Sequence, residues 1–166
     1  MILAMDLALP LAKKLNKAGV EWMFTAGVAM QYLGVSDRQP GDLDIVVRSV
    51  AGIASVVGPE FVFHNTALCD LHKVEFFVFH CFNIQLDIFK LGEDPYSVAR
   101  WARRVPHDVD GQTVWTATAE DVLIRKQQAF QTGHRQKDSE DCDRILGARK
   151  SLDHDYIAQW CGAELL

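Results

Sequence analysis

Asp42 and Asp44 stand two residues apart in the run Asp-Leu-Asp-Ile-Val-Val, whose β-branched residues Ile45, Val46 and Val47 predict a central strand. Residues i and i+2 of a strand leave it on the same face, so the two carboxylates project side by side. Carboxylates that close repel each other unless a cation sits between them, and Mg²⁺ takes oxygen ligands from one or two carboxylates together with phosphate oxygens. A third acid, Asp87, lies between Leu86 and Ile88 in the most apolar stretch of the chain. A carboxylate buried there is costly unless paired, hydrogen-bonded or metal-bound. The three acids together are candidates for holding Mg²⁺ or Mn²⁺ against a polyphosphate.

The elements that must position them follow from periodicity. Leu7, Leu11 and Leu15 recur four apart between Met5 and Ala18, with Lys13, Lys14 and Lys17 elsewhere on the wheel, which predicts a helix stopped by Gly19. Glu21 to Thr25 reads as a short buried strand, and Ala26 to Gly34 as a small-residue turn entering a helix. After the Asp42 strand come a helix from about Ser49 to Val57, a strand at Glu60 to His64 and a loop over Asn65 to Asp70. Two strands, His72 to His80 and Phe82 to Lys90, then form an antiparallel hairpin turning around His80 and Cys81. Pro95 to Arg104 reads as a helix, and Val105 to Ala117 as extended chain with a turn at Asp110-Gly111. Thr118 caps a helix running to Gln131, with Asp121 three residues on. Helices from about Gln136 to Lys150 and Leu152 to Gly162 close the chain. The expected fold is α/β (α+β): a mixed, mostly antiparallel sheet of about five strands flanked by helices. One domain is expected, with a core over about 1–117 and a helical C-terminal part over about 118–166.

The stretch FTAGVAMQYLGVSDRQPGDLDIVV, Phe24 to Val47, resembles the nucleotidyltransferases that share the fold of DNA polymerase beta, especially their small single-domain and toxin-type (AbiEii-like) members. In that family a strand enters a Gly-Gly or Gly-Ser turn and helix, an Arg-bearing loop follows, and then a D-x-D strand. Asp87 in IQLDIF matches the third family carboxylate. LIRKQQAFQTGHRQKDSEDCDRIL, Leu123 to Leu146, is similar to the family's Lys-bearing helix followed by Lys-Asp and a further Asp. The resemblance implies attack of an acceptor hydroxyl on the α-phosphate of a nucleoside triphosphate. It assigns Asp42, Asp44 and Asp87 to metal and catalysis, and Thr25, Ala26 and Gly27 to the phosphate turn. Arg38, Lys126 and Lys137 are the candidates for phosphate charge neutralisation. The implied partners are a nucleoside triphosphate, an acceptor that is a small molecule, a protein or an RNA end, and a possible cognate protein. One departure stands out: Ala26 replaces the family's first glycine where backbone N–H groups must approach phosphate, a position an alanine fills readily only at negative φ. A catalytically idle binding or regulatory module is the alternative reading.

Composition narrows the classes further. The 166 residues are 49% apolar and 23% charged, without low-complexity blocks, as expected of one folded domain. A net charge of −5 argues against a chain wrapped on nucleic acid. The basic residues still cluster, at Arg100, Arg103 and Arg104 and at Arg125, Lys126, Arg135 and Lys137, where either a polyanion or solvent could meet them. Four cysteines without a CxxC pair read as reduced thiols in a cytoplasmic protein. No signal peptide or membrane span is expected. Cys69, His72, His80 and Cys81 lack a zinc spacing, and no G-x-S-x-G is present. A PD-(D/E)xK nuclease would need a lysine two residues after Asp87, where Phe89 stands. Phe76, Phe77, Phe79, Phe82 and Phe89 are expected to be sheet core rather than a stacking platform.

Overall fold

The computed structural model describes residues 1–69, 74–148 and 151–161. Its first helix, α1 (Ala4–Lys17), buries Ala4, Ala8, Leu11, Ala12 and Leu15 along one face. The Asp6 carboxylate accepts the Leu3 N–H at 2.8 Å, satisfying a donor at the helix N-terminus. Strand β1 (Trp22–Phe24), helix α2 (Ala26–Tyr32) and strand β2 (Asp42–Val47) follow. Helix α3 (Ile53–Val57) begins later than the predicted Ser49, because Gly52 is left-handed at φ 70°.

Strand β3 (Val62–Cys69) continues through Asn65 to Cys69, where the sequence predicted a loop. Pairing with β4 (Val74–Cys81), Thr66 opposite Phe77 and Ala67 opposite Phe76, outweighs the turn propensity of Asn65 and Thr66, and a bulge between Phe63 and Asn65 absorbs the mismatch. β4 turns through Phe82 and Asn83 into β5 (Ile84–Lys90), two residues beyond the expected turn, with Phe82 at φ 55°. Residues 70–73, including the predicted strand start at His72, lie outside the described residues.

Helix α4 (Pro95–Ala102) is capped by Asp94, which accepts the Ser97 N–H at 2.9 Å. Strands β6 (Val105–Val109) and β7 (Gln112–Thr116) join through Asp110-Gly111, both at positive φ, the mirror-image hairpin turn that Asp-Gly favours. α5 (Ala119–Gly133) starts at its Thr118 cap, α6 covers Gln136–Ala148, and α7 covers His154–Cys161. The predicted ends of the last two helices, Lys150 and Gly162, lie outside the described residues.

Among the described residues one sheet takes all seven strands, in the order β3-β4-β5-β2-β1-β7-β6. The expected count of about five falls short because the β6–β7 hairpin joins the same sheet through the parallel β7–β1 pair. The sheet is mixed and mostly antiparallel, as expected, the other parallel pair being β2–β5. Alternation along β2 sorts its side chains: Leu43, Ile45 and Val47 face a core closed by α1, whereas Asp42, Asp44 and Val46 face the opposite side. On that side Met23, Val46, Val122 and Ile124 form a second core with α5, α6 and α7. Among the described residues no helix is long and apolar enough to cross a membrane.

Candidate active site

β2 and β5 run parallel with Asp44 directly opposite Asp87 and Asp42 opposite Gln85. The strand alternation puts all three carboxylates on the sheet face away from α1. β2 is held on both sides, by β1 and by β5, so the register that pairs Asp44 with Asp87 belongs to the middle of the sheet.

The three acids are compensated unequally. Asp87, 8% exposed, accepts both hydrogen bonds of the Gln85 amide, at 2.8 and 3.0 Å. Among the described residues no hydrogen bond or ion pair reaches the Asp42 or Asp44 side chain. Burial, then Asp42, then Asp87 push the Asp44 carboxyl up to about 8, against the more distant positive charges of Lys126 and Lys137. Burial also raises Asp87, opposed by the Gln85 hydrogen bond. Among the described residues no three acidic, imidazole or thiol groups come together closely enough to hold a metal ion by themselves. The donor set nevertheless fits a hard divalent cation: oxygen ligands only, neighbouring in register, and short of positive charge.

The turn between β1 and α2 lies beside these acids, with the Thr25 N–H donating to the Asp44 carbonyl at 3.0 Å. Ala26 occupies it at φ 49°, so the negative φ that would suit an alanine is not adopted. An L-residue there costs about 1–2 kcal/mol. The backbone thus holds an alanine in the left-handed conformation that glycine takes at no steric cost. Gly27 is required for a different reason, since a Cβ at this position would come within 2.9 Å of the Pro40 Cβ.

Two adjoining cavities meet at Ala26, Asp44 and Lys126. One, of about 350 Å³, is lined by Ala26, Gly27, Asp42, Asp44 and Asp87, and by Arg38, Lys126 and Lys137. The other, of about 440 Å³, runs from Thr25, Ala26 and Asp44 past Val46 and Phe89 to α4 and α5. Every site residue chosen from sequence therefore borders one or both cavities. The basic residues differ in what they already hold. Lys126 bonds Asp138 at 3.1 Å and Asp141 at 2.9 Å, and Arg38 bonds Asp141 at 2.8 Å. Lys137 is exposed at the rim.

Four contributors were not among the site residues chosen from sequence. Gln85 fixes Asp87, yet an isolated glutamine carries no motif. Asp138 and Asp141, both fully buried, organise Lys126, Arg38, Arg135 and Arg144. Arg100 lines the larger cavity from α4. Phe76 and Phe89 correct an expectation: they stack on each other at 4.7 Å across β4 and β5, half-buried on the acid-bearing face, and only Phe79 of the five phenylalanines is a full core residue. Phe82 is exposed in the hairpin turn. Of the weighed zinc ligands, Cys81 is buried on the other side of the sheet from its neighbour His80, and His72 lies outside the described residues.

At the level of sequence no protein-family model and no curated protein matches this chain. Solved structures do. The antibiotic-resistance factor ANT(2'')-Ia superposes with a TM-score of 0.69 at 12% identity, covering 95% of this chain and 89% of that one. The lincosamide antibiotic adenylyltransferase LnuA, in its lincomycin-bound form, gives 0.61 at 11% identity over 89% and 99% of the two chains. An antigenic nucleotidyltransferase-like protein from Paracoccidioides brasiliensis gives 0.57 at 17% identity over 86% and 75%. The chain has the nucleotidyltransferase fold.

Proposed function

We propose that this protein moves a nucleoside monophosphate from a nucleoside triphosphate to a hydroxyl acceptor. The observation that carries the reading is the register of β2 and β5, which sets Asp42, Asp44 and Asp87 on one sheet face beside the turn where Ala26 holds φ 49°. A divalent cation, Mg²⁺ or Mn²⁺, would be held by Asp42 and Asp44 and would supply Lewis-acid charge to the phosphate oxygens. The Ala26–Gly27 turn at the start of α2 would meet the triphosphate with its backbone N–H groups. Lys126, Lys137 and Arg38 set positive charge around it, and Asp138 and Asp141 hold two of those three in place.

In the reaction the acceptor oxygen bonds to the α-phosphorus while the bond to the bridging oxygen breaks and pyrophosphate leaves. Asp87 takes the acceptor proton, a role suited to a carboxylate whose proton affinity burial has raised. Two of the structural neighbours are named for chemistry of this class: LnuA is an adenylyltransferase, and ANT(2'')-Ia has been captured with adenylyl-2''-tobramycin. Their acceptors are antibiotics, which supports a small-molecule hydroxyl as the acceptor here.

Incubation with each labelled nucleoside triphosphate, Mg²⁺ and cell extract tests the proposal, with labelled acceptor as the expected result. Transfer by Asp42→Asn/Asp44→Asn at the wild-type rate would sink it. The idle-module reading draws on one observation, the strained Ala26. It predicts no magnesium-dependent triphosphate binding in calorimetry.

A further inference from the structure

The wall of the larger cavity contains a cation that the transfer chemistry does not use. Arg100, on α4, is 8% exposed, and its Nε is buried with no hydrogen-bond partner. No carboxylate among the described residues forms an ion pair or hydrogen bond with it. The two acids whose charge reaches it are committed elsewhere. Asp94 accepts the Ser97 N–H at 2.9 Å and the Ser97 hydroxyl at 2.6 Å. Asp121 accepts the Thr118 hydroxyl at 2.7 Å and the Tyr156 hydroxyl at 2.8 Å. A second guanidinium, Arg125, lines the same cavity, its centre 4.5 Å from the Tyr96 ring that Arg100 approaches at 5.8 Å. A buried donor such as the Arg100 Nε, left without an acceptor, is costly unless something brings one to it.

The position of this pair says what that something is. Asp44 lines the cavity from β2, and Thr25 and Ala26 line it from the turn into α2, whereas Arg100 and Arg125 line it from α4 and α5. A triphosphate anchored at the acids and the phosphate turn therefore sends its nucleoside towards the arginines, across Val46, Phe89, Val122 and Ala129. Those apolar side chains suit a flat ring, and the volume of about 440 Å³ falls in the range of small-ligand pockets.

Guanidinium has donors only, in a planar fork, so it matches a base edge with two adjacent acceptors. Guanine offers O6 and N7 side by side, whereas adenine places an amino donor next to each ring acceptor on that edge. We infer that Arg100, with Arg125 beside it, reads the base of the bound nucleotide and selects guanine through O6 and N7. This inference rests on the nucleotidyl-transfer reading and adds the identity of the donor substrate.

Isothermal titration of the full chain in Mg²⁺ with GTP, ATP, CTP, UTP, inosine triphosphate, 7-deaza-GTP and inorganic tripolyphosphate tests it. Inosine triphosphate keeps O6 and N7 and should bind like GTP. 7-Deaza-GTP and ATP, which each lose one acceptor of the pair, should bind about tenfold or more weakly. Arg100→Lys keeps the charge without the fork: it should bring GTP down to the ATP level and leave tripolyphosphate unchanged. ATP, CTP or UTP binding as tightly as GTP would overturn the inference. So would Arg100→Lys weakening tripolyphosphate in step with GTP, which would make Arg100 a phosphate ligand. Should the variant fail to fold, the ligand series on the wild-type chain decides alone. Wild-type protein binding no triphosphate at all would overturn the nucleotidyl-transfer reading itself, and a tripolyphosphate signal without base discrimination would overturn only this one.

Discussion

Two acidic clusters stand beside the smaller cavity, and they are built on opposite principles. Asp138 and Asp141, on α6, have no exposed surface, and four cations close on them: Lys126, Arg38, Arg135 and Arg144. Asp42, Asp44 and Asp87, on the strands, have each other and the Gln85 amide as near neighbours. The first cluster is satisfied by the fold. The second gains from whatever brings positive charge to it. Buried charge is tolerated when its partners are built in, and it is retained without them where a ligand completes the site.

Substitution should separate the two. Asp42→Asn/Asp44→Asn is expected to lower magnesium-dependent transfer by on the order of a thousandfold, the loss typical of a group that stabilises transition-state charge. Thermal melts of this variant should show no loss of stability; a lowered melting temperature would place Asp42 and Asp44 with the structural acids. Asp141→Asn should do the reverse to the fold. It leaves Arg38 beside a neutral amide and takes one of two carboxylates from Lys126, at a cost of about 3 kcal/mol, towards the lower end for a buried pair because Lys126 keeps Asp138 and because Arg38 and Arg144 are partly exposed. For a chain of this size that is a fall on the order of 10 °C in melting temperature. An unchanged melt would break the comparison.

The pH dependence sharpens it. A carboxyl raised from 3.8 to about 8 binds more protons folded than unfolded between those values, so its contribution to stability declines as pH rises through that window. Asp44→Asn removes the decline. The variant's melting temperature should match wild type near pH 4 and exceed it by several degrees near pH 8, in metal-free buffer. A difference that is constant with pH would show that Asp44 is not held protonated by its neighbours.

The smallest effects concern the turn. Ala26→Gly relieves a left-handed alanine and should stabilise the fold by about 0.5–1 kcal/mol with triphosphate affinity unchanged or raised. Gly27→Ala pushes a methyl into Pro40 and should destabilise by about 1–3 kcal/mol. Paired denaturant titrations read both, and equal effects of the two substitutions would contradict the geometry.

The carboxylate side of this comparison was legible in the sequence, because Asp42 and Asp44 carry a strand period and Asp87 stands out among apolar neighbours. The structure brings all nine chosen residues to the two cavities. The α6 side was half legible: Lys126 and Arg38 could be named, but nothing local shows that Asp141 lies against Arg38, 103 residues earlier. Residue pairings so distant in the chain depend on how α6 packs on the sheet. β3 was misread for a related reason, since Asn65 and Thr66 favour a turn locally and only the partner strand overrides them. Arg100 looked like one basic residue of a surface cluster because its burial follows from how α4 and α5 enclose it.

The contact between Arg38 and Asp141 also sets a timetable. At the synthesis rates usual for cells, about 5–20 residues per second, roughly 5–20 s separate the two residues as the chain emerges. During that interval Asp42 and Asp44, and later Asp87, already exist while the Arg38 guanidinium lacks its Asp141 carboxylate, although Gln31 already donates to the Arg38 carbonyl. The nascent chain thus carries its acids well before the arginine beside them is fixed, and α6 is the late-arriving piece that arms it.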